Sequence, residues 1–291
     1  MSVTRGRAIA LLSAAAVLPR CSAPHAIRVG SKNFTESIII AEIYAQALES
    51  AGLRVERRFN LGSTQILLAA MMRGEIDVYP EYTGTALIAV LHHAPVESSN
   101  EAFDIVRQAF ATTYHIEWLT PSPMSNSQAL ATTQSVATRY HLRTLSDLAH
   151  VSRDLRLATI PEFLTRADGL PGLQHRYGGF TFKSVKTYDI ALKYQALLAG
   201  DADVATAFTT DGAIASDHLV VLTDDKHVWP PYNVAPLVRS AVIATEARIA
   251  PALDRASTRI TDARAQAMNA AVETGADPAA VAAGFLRNIG R

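Results

Sequence analysis

The chain has 291 residues, of which 49% are hydrophobic and 19% charged, with 15 glycines and 13 prolines. This composition excludes a disordered, low-complexity or collagen-like chain and is typical of one large globular domain or two of ordinary size. Basic and acidic residues number 27 each, so bulk charge gives no support to a nucleic-acid partner.

Residues 1–26 are predicted to be an export signal. Arg5 and Arg7 precede an apolar run over 8–18, which small residues follow, and this is the layout of a secretory signal peptide. The run is too short to span a bilayer. Cys21 is the single cysteine and offers a second interpretation, attachment to a lipid. We therefore expect a periplasmic protein without disulfides, either released or anchored through Cys21.

The segment from residue 27 to about residue 100 alternates between strand and helix patterns. A short strand at Ile27–Gly30 precedes Asn33 and Glu36, whose spacing is that of a capping box at the start of a helix. The next elements are strand 55–59, a helix that starts at Ser63 or Thr64 and ends at Gly74, strand 76–79 and a loop at 80–85. This βαβαβ order predicts a mostly parallel sheet flanked by helices.

A similar order of elements returns later, with strand 156–159, a helix from Pro161, a helix at 189–199 and strand 203–207. The stretches 74–78 and 200–204 share the order Gly, acid, apolar, Asp, Val. Eight residues beyond each glycine stands an aromatic residue, Tyr82 or Phe208, which Thr and shortly Gly follow. We interpret the repeat as two similar lobes, each with an aromatic loop at the carboxyl end of a strand, where open α/β sheets bind ligands.

Two proline-containing segments, 118–127 and about 229–231, are predicted to cross between the lobes. We expect an α/β protein with two hinge crossings, in which residues 27–125 plus 228–291 form lobe I and residues 126–227 form lobe II. The C-terminal part reads as helical, and Asp277-Pro278 starts its last helix. Clefts between lobes are common ligand sites, so we expect the site there.

The sequence offers no support for catalysis. It contains neither a glycine-rich phosphate loop nor a Gly-x-Ser-x-Gly turn. The nine histidines show no metal-ligand spacing, and the acids show no pairing typical of a general acid and base. We therefore expect no enzymatic activity, no metal and no cofactor.

Four ordered motifs carry a family resemblance. They are Val29-Gly-Ser-Lys-Asn-Phe-Thr-Glu36, Tyr79-Pro-Glu-Tyr-Thr-Gly-Thr85, Phe208-Thr-Thr-Asp-Gly212 and Pro231-Tyr-Asn-Val-Ala-Pro236. With them the chain resembles the substrate-binding proteins of osmoprotectant ABC importers, which carry glycine betaine, choline or carnitine. The resemblance implies a two-lobed type II periplasmic binding protein fold. It also implies a monomer that closes on a small ligand and delivers it to a membrane permease driven by an ATPase.

The resemblance further implies an aromatic box for a trimethylammonium group. Such a cation has no N–H to donate, so π faces and close packing must recognise it. Tyr82 and Tyr232 match two tyrosines of the box, and Phe208 matches a third position without the hydroxyl. Gln128 stands where the family often has a fourth aromatic wall.

At the other end of the ligand, Lys32, Thr85 and Arg166 match the family positions that hold a carboxylate by charge-assisted hydrogen bonds. Each of the seven residues also has a simpler interpretation, as a core aromatic, a loop hydroxyl or a surface charge.

Three alternatives stay open from the sequence. The first is a same-fold importer protein for a different small zwitterion or an amino-acid-like solute, which Gln128 favours. The second is a periplasmic sensor-type binder, which needs a receptor. The third is an enzyme on a related architecture such as that of porphobilinogen deaminase, but the cysteine that holds the cofactor there has no counterpart, since Cys21 lies in the signal region.

Overall fold

The computed structural model of the chain describes residues 26–190 and 192–290. Cys21 and all but the last residue of the predicted export signal lie outside this part of the chain. The strands within it are, in chain order, β1 Ile27–Gly30, β2 Val55–Arg58, β3 Val78–Tyr82, β4 Ile116–Trp118, β5 Gln128–Thr132, β6 Arg156–Thr159, β7 Ser184–Thr187, β8 Val204–Phe208, β9 Val220–Val221 and β10 Val234–Arg239.

The strands form two five-stranded sheets with the orders β2-β1-β3-β10-β4 and β7-β6-β8-β5-β9. All strands of the first sheet lie in the segments assigned to lobe I, and all strands of the second lie in lobe II. In each sheet one strand, β1 or β6, pairs in parallel with both neighbours, and another, β10 or β5, pairs antiparallel with both.

The sheets are therefore mixed rather than mostly parallel as the sequence predicts. The reason lies in the crossings. Strands β3 and β8 end at the cleft, whereas β10 and β5 begin there, directly after the chain has crossed from the other lobe. Each crossing strand consequently runs opposite to the strand beside it.

Helices cover both faces of each sheet. In lobe I they are α1 Thr35–Ser50, α2 Thr64–Met72, α3 Thr83–Thr85, α4 Ser99–Tyr114, α10 Ser240–Ile243, α11 Ile249–Ser257, α12 Asp262–Glu273 and α13 Pro278–Ile289. In lobe II they are α5 Gln134–Tyr140, α6 Leu145–Val151, α7 Leu170–Tyr177, α8 Lys193–Leu198 and α9 Gly212–Ser216. A π-helical turn at Ala86–Val90 and 3-10 turns at Ser152–Asp154 and Pro161–Leu164 complete the helical segments.

The two faces of the lobe I sheet bury separate apolar clusters. Helices α1 and α11 to α13 cover one face, where Ile40 is fully buried, and α2 and α4 cover the other, where Phe110 is fully buried. Lobe II is built in the same way around Leu157 and Ala158. This double coverage fixes the strand ends that form the cleft.

The repeated Gly-acid-apolar-Asp-Val motif has the same structural role in both lobes. Arg28 donates from N and Nε to Asp77 Oδ2 at 2.9 Å and from Nη2 to Oδ1 at 2.8 Å. Arg156 makes the same three bonds to Asp203, at 2.8, 2.8 and 2.9 Å. Each aspartate therefore ties the start of its strand to the neighbouring parallel strand.

Several predicted boundaries are wrong by a few residues. Strand β3 runs over Val78–Tyr82, so it starts later than predicted and extends into the first half of the predicted loop, and α8 begins at Lys193 rather than Asp189. Helix α1 begins at Thr35, and its N-cap, Phe34, makes no side-chain cap. The predicted capping box fails because Glu36 turns inward, to hydrogen-bond partners described below.

Candidate functional site

A cavity of about 770 Å³ lies between the two lobes. Seven of its lining residues are those that the sequence predicts as site residues: Lys32, Tyr82, Thr85, Gln128, Arg166, Phe208 and Tyr232. Tyr82 and Phe208 end the central strands β3 and β8, and Tyr232 and Gln128 lie where the two crossings meet β10 and β5. The sheet topology thus brings residues 200 positions apart in sequence to one cavity.

The cavity contains more aromatic rings than the three predicted. Phe34 lies 6.1 Å from Tyr82, centroid to centroid, with a 33° angle between the ring planes. Tyr188 also lines the cavity, and it directly follows the carboxyl end of β7. The rule that placed Tyr82 and Phe208 at strand ends could have indicated Tyr188, because β7 runs parallel to β6.

Gln128 lines the cavity, but its amide nitrogen is engaged with the protein. Nε2 donates to the backbone oxygen of Asp168 at 3.1 Å and to the hydroxyl of Tyr232 at 3.3 Å. Gln128 therefore supports the ring of Tyr232 while standing at the position of the missing aromatic wall.

The two predicted cationic residues each pair with a buried carboxylate. Lys32 Nζ donates to Glu81, and it lies 5.1 Å from the centroid of the Tyr82 ring. Burial lowers the pKa of Lys32, and the charge of Glu81 opposes that shift. Arg166 donates from Nε to Asp168 Oδ1 at 2.7 Å and from Nη2 to Oδ2.

Arg166 Nη1 and the Thr85 hydroxyl make no hydrogen bond within 26–190 and 192–290. Both side chains line the cavity, so these groups are donors that a ligand carboxylate can use.

Glu36 is the functional candidate that sequence reasoning missed. The residue is 4% exposed, and its carboxylate accepts hydrogen bonds from Tyr82 Oη at 2.6 Å, Asn126 Nδ2 at 2.7 Å, Asn269 Nδ2 at 2.9 Å and the hydroxyl of Thr210. Burial raises the pKa of Glu36, and the four hydrogen bonds oppose that rise. The donors come from both lobes and one crossing, so the carboxylate of Glu36 connects the two lobes and that crossing by hydrogen bonds.

A lysine covers the third predicted ring. Lys193 Nζ lies 4.7 Å from the centroid of Phe208 and 4.6 Å from that of Tyr194, and it donates to Asp211 Oδ2 at 2.9 Å. Lys193 is 1% exposed, so a fixed cation occupies one face of Phe208. A ligand cation can use only the other face of that ring.

Within the described ranges no group of His, Cys, Asp and Glu side chains is placed to hold a metal ion. No helix there combines the length and the apolar character needed to cross a membrane.

The family described as the substrate-binding domain of ABC-type glycine betaine transport systems matches residues 25–288. Among individual relatives, the glycine-betaine-binding protein of Pseudomonas aeruginosa is 35% identical over 272 residues, which cover 90% of this chain and 87% of the relative. The glycine betaine-binding protein YehZ of Escherichia coli is 31% identical over 293 residues, with 96% of each chain covered. A crystal structure titled as a glycine betaine/carnitine/choline ABC transporter superposes with a TM-score of 0.75 at 30% identity, covering 90% of this chain and 98% of that chain.

Proposed function

This chain belongs to the family of substrate-binding domains of ABC-type glycine betaine transport systems, and we propose that it captures a betaine-like quaternary amine between its lobes. One observation carries the proposal. Three aromatic rings from the two lobes line the same cavity as two cationic side chains; the rings are Tyr82, Tyr232 and Phe208, and the cations are Lys32 and Arg166. The family is one of transport proteins rather than enzymes. The ligand then passes to a membrane permease driven by an ATPase.

The rings suit the cationic end of such a ligand. A trimethylammonium group cannot donate a hydrogen bond, and each good π face contributes about 0.5 to 2 kcal/mol to its binding. The cavity volume of about 770 Å³ is in the range of pockets for much larger ligands. A compact betaine therefore contacts both sets of walls only after the lobes move together.

The cationic residues suit the other end. Arg166 and Lys32 keep buried carboxylate partners, so their charges are held in place before a ligand arrives. A ligand carboxylate then meets the free Nη1 of Arg166 and the hydroxyl of Thr85. Names of the relatives agree with this ligand class, since two of them are called glycine betaine-binding proteins.

A second candidate is a different small zwitterion, and Gln128 favours it. The amide oxygen of Gln128 can accept a hydrogen bond that a trimethylammonium group cannot donate, whereas a ligand with an N–H or O–H near its cation can.

Calorimetric titration of the purified mature protein with glycine betaine, choline, carnitine and a panel of amino acids tests the proposal. We expect glycine betaine or carnitine to bind more tightly than choline, which lacks the carboxylate, and amino acids to bind weakly. Tight binding of an amino acid alone would replace the first candidate by the second. Tyr140→Ala, a change on α5 away from the cavity lining, is the control for general effects of losing a ring.

We also propose that the protein acts as a monomer on the outer side of the cytoplasmic membrane, either released or lipid-anchored at Cys21. Mass spectrometry of the mature N-terminus distinguishes a cleaved free chain from a diacylglyceryl-cysteine at position 21. Light scattering at saturating ligand tests the monomeric state.

A further inference from the structure

The two tyrosines predicted for the aromatic box share an unusual support. The hydroxyl of Tyr82 donates to Glu36 at 2.6 Å, and the hydroxyl of Tyr232 donates to Asp168. Glu36 is 4% exposed and Asp168 1% exposed, and neither belongs to the cavity lining. A tyrosine ring therefore lies between each carboxylate and the cavity.

The charges of the two carboxylates are balanced differently. Arg166 neutralises Asp168 with a two-pronged ion pair. Glu36 receives only neutral donors, namely two hydroxyls and two amides, and no cation within hydrogen-bonding distance among the described residues. The four donors match in number the four acceptor positions that an ionised carboxylate offers.

A hydroxyl that donates to an ionised carboxylate forms a strong, charge-assisted hydrogen bond. Electron density in the phenol then shifts toward the oxygen and the ring, which makes the ring face more negative. The attraction between a cation and an aromatic ring is electrostatic, so it increases with that negative character. The structure already places one cation over this ring, since Lys32 Nζ lies 5.1 Å from its centroid.

We propose that Glu36 is a specificity-determining residue that acts through Tyr82: its carboxylate polarises the ring and so favours a permanent cation over a neutral group of the same shape. The inference rests on the proposed function, in which Tyr82 faces the ligand. Glu36 is a positioning residue in this scheme, because the ring and not the carboxylate touches the ligand.

A double-mutant cycle tests the inference, with glycine betaine as the ligand in calorimetry. We expect Glu36→Gln, which keeps the size of the side chain, to weaken binding about three- to tenfold, an effect no larger than one strong cation–π contact. We expect Tyr82→Phe to weaken it by a similar factor, because the ring stays while its link to the carboxylate is lost. The double variant should be no weaker than either single variant, since both changes break one coupling.

A merely structural role of Glu36 predicts a different result. If Glu36→Gln acts only by breaking the bonds to Asn126, Asn269 and Thr210, it should weaken binding by the same factor in the wild-type protein and in Tyr82→Phe. That additive outcome overturns the inference. Competition by 3,3-dimethylbutanoate, the neutral-headed isostere of glycine betaine, gives a second readout. The two single variants should lower the preference for betaine over the isostere, and an unchanged preference contradicts the proposal.

The controls separate this inference from the proposed function. Glu117→Gln removes a carboxylate that accepts from Ser240 Oγ at 2.8 Å outside the cavity lining, and it should leave betaine binding unchanged. If Glu36→Gln does not fold, the preference of Tyr82→Phe for glycine betaine over the isostere still tests the inference. The preference falls only if the Tyr82 hydroxyl, which links the ring to Glu36, contributes to it. Wild-type protein that binds no quaternary amine overturns the proposed function and this inference together, whereas normal wild-type binding with unaltered variants overturns only the inference.

Discussion

Gln128 and Phe208 lie directly opposite each other in the antiparallel pairing of β5 with β8. Side chains at such positions are neighbours on one face of the sheet. The residue that stands where the resemblance implies a fourth aromatic wall is thus the cross-strand partner of Phe208, one of the three rings predicted for the box. Gln128 also donates a hydrogen bond to the hydroxyl of Tyr232.

Gln128→Tyr should tighten glycine betaine binding, because it adds a ring beside Phe208. We expect a gain of about 0.5 to 1 kcal/mol, less than a full cation–π contribution, since the hydrogen bond to Tyr232 is lost. Gln128→Leu loses the same hydrogen bond without adding a ring and should weaken binding. Calorimetry on both variants checks that Gln128→Tyr binds glycine betaine more tightly and Gln128→Leu more weakly than the wild-type protein. Tighter binding by Gln128→Leu would show that the amide of Gln128 weakens the binding of glycine betaine.

The two ends of the ligand should respond to different substitutions. Tyr232→Ala is expected to weaken glycine betaine and choline alike, because both carry the trimethylammonium group. Arg166→Ala should weaken only glycine betaine, by about 1.5 to 3 kcal/mol for a lost charged hydrogen bond. The substitution also leaves Asp168 without its ion-pair partner. Because the cavity then has one positive charge fewer, choline should bind no worse.

Exposed Arg153 in lobe II supplies the control for this comparison, since Arg153→Ala removes an equal charge without touching the cavity lining. Equal losses of betaine and choline binding in Arg166→Ala would mean that the arginine holds the lobe together rather than the carboxylate. Thermal melting of each variant separates that effect from ligand recognition.

Ligand binding should compact the molecule, because the rings and donors of the cavity come from both lobes. Small-angle X-ray scattering at saturating glycine betaine is expected to give a smaller radius of gyration than the free protein. Tyr232→Ala should require more ligand for the same change. A radius that does not alter at saturation would contradict a site between the lobes.

The paired aspartates of the repeat should make the fold sensitive to acid. Burial alone would raise the pKa of Asp77, and hydrogen bonds from Arg28 outweigh it, so the pKa lies below its usual range. Hydrogen bonds from Arg156 likewise lower the pKa of Asp203. Because the unfolded chain binds these protons more readily, the stabilisation is present above the unfolded pKa of about 4 and is lost as the pH falls through the folded values.

Urea unfolding at neutral and acidic pH tests this sensitivity. Asp77→Asn should lower the free energy of unfolding at pH 7 by about 1.5 to 3 kcal/mol and flatten its pH dependence. Asp203→Asn should have a smaller effect, because its side chain is 19% exposed whereas that of Asp77 is fully buried. Equal effects of the two substitutions would contradict the role of burial.

The repeat made part of the candidate site predictable. Tyr82 and Phe208 could be found because each follows a local motif at a fixed distance, and a strand end is a local property of the chain. Glu36 could not be found in this way, because its four partners lie 46, 90, 174 and 233 residues away. Its spacing from Asn33 matched a helix cap, and only the tertiary packing of both lobes shows that the carboxylate faces inward.

The place of β10 has a consequence for the order in which the protein can fold. Lobe II takes its five strands from one continuous stretch, 128–221, so its sheet can be complete as soon as that stretch is available. Among the described residues of lobe I, β4 pairs only with β10, and β10 is the last strand in that part of the chain. The first lobe to emerge is therefore the last to acquire a finished sheet, and β3 and β4 keep unpaired edges until residue 239 is present. Long-range pairing of this kind slows folding, so the strand edges of lobe I stay open for longer than those of lobe II.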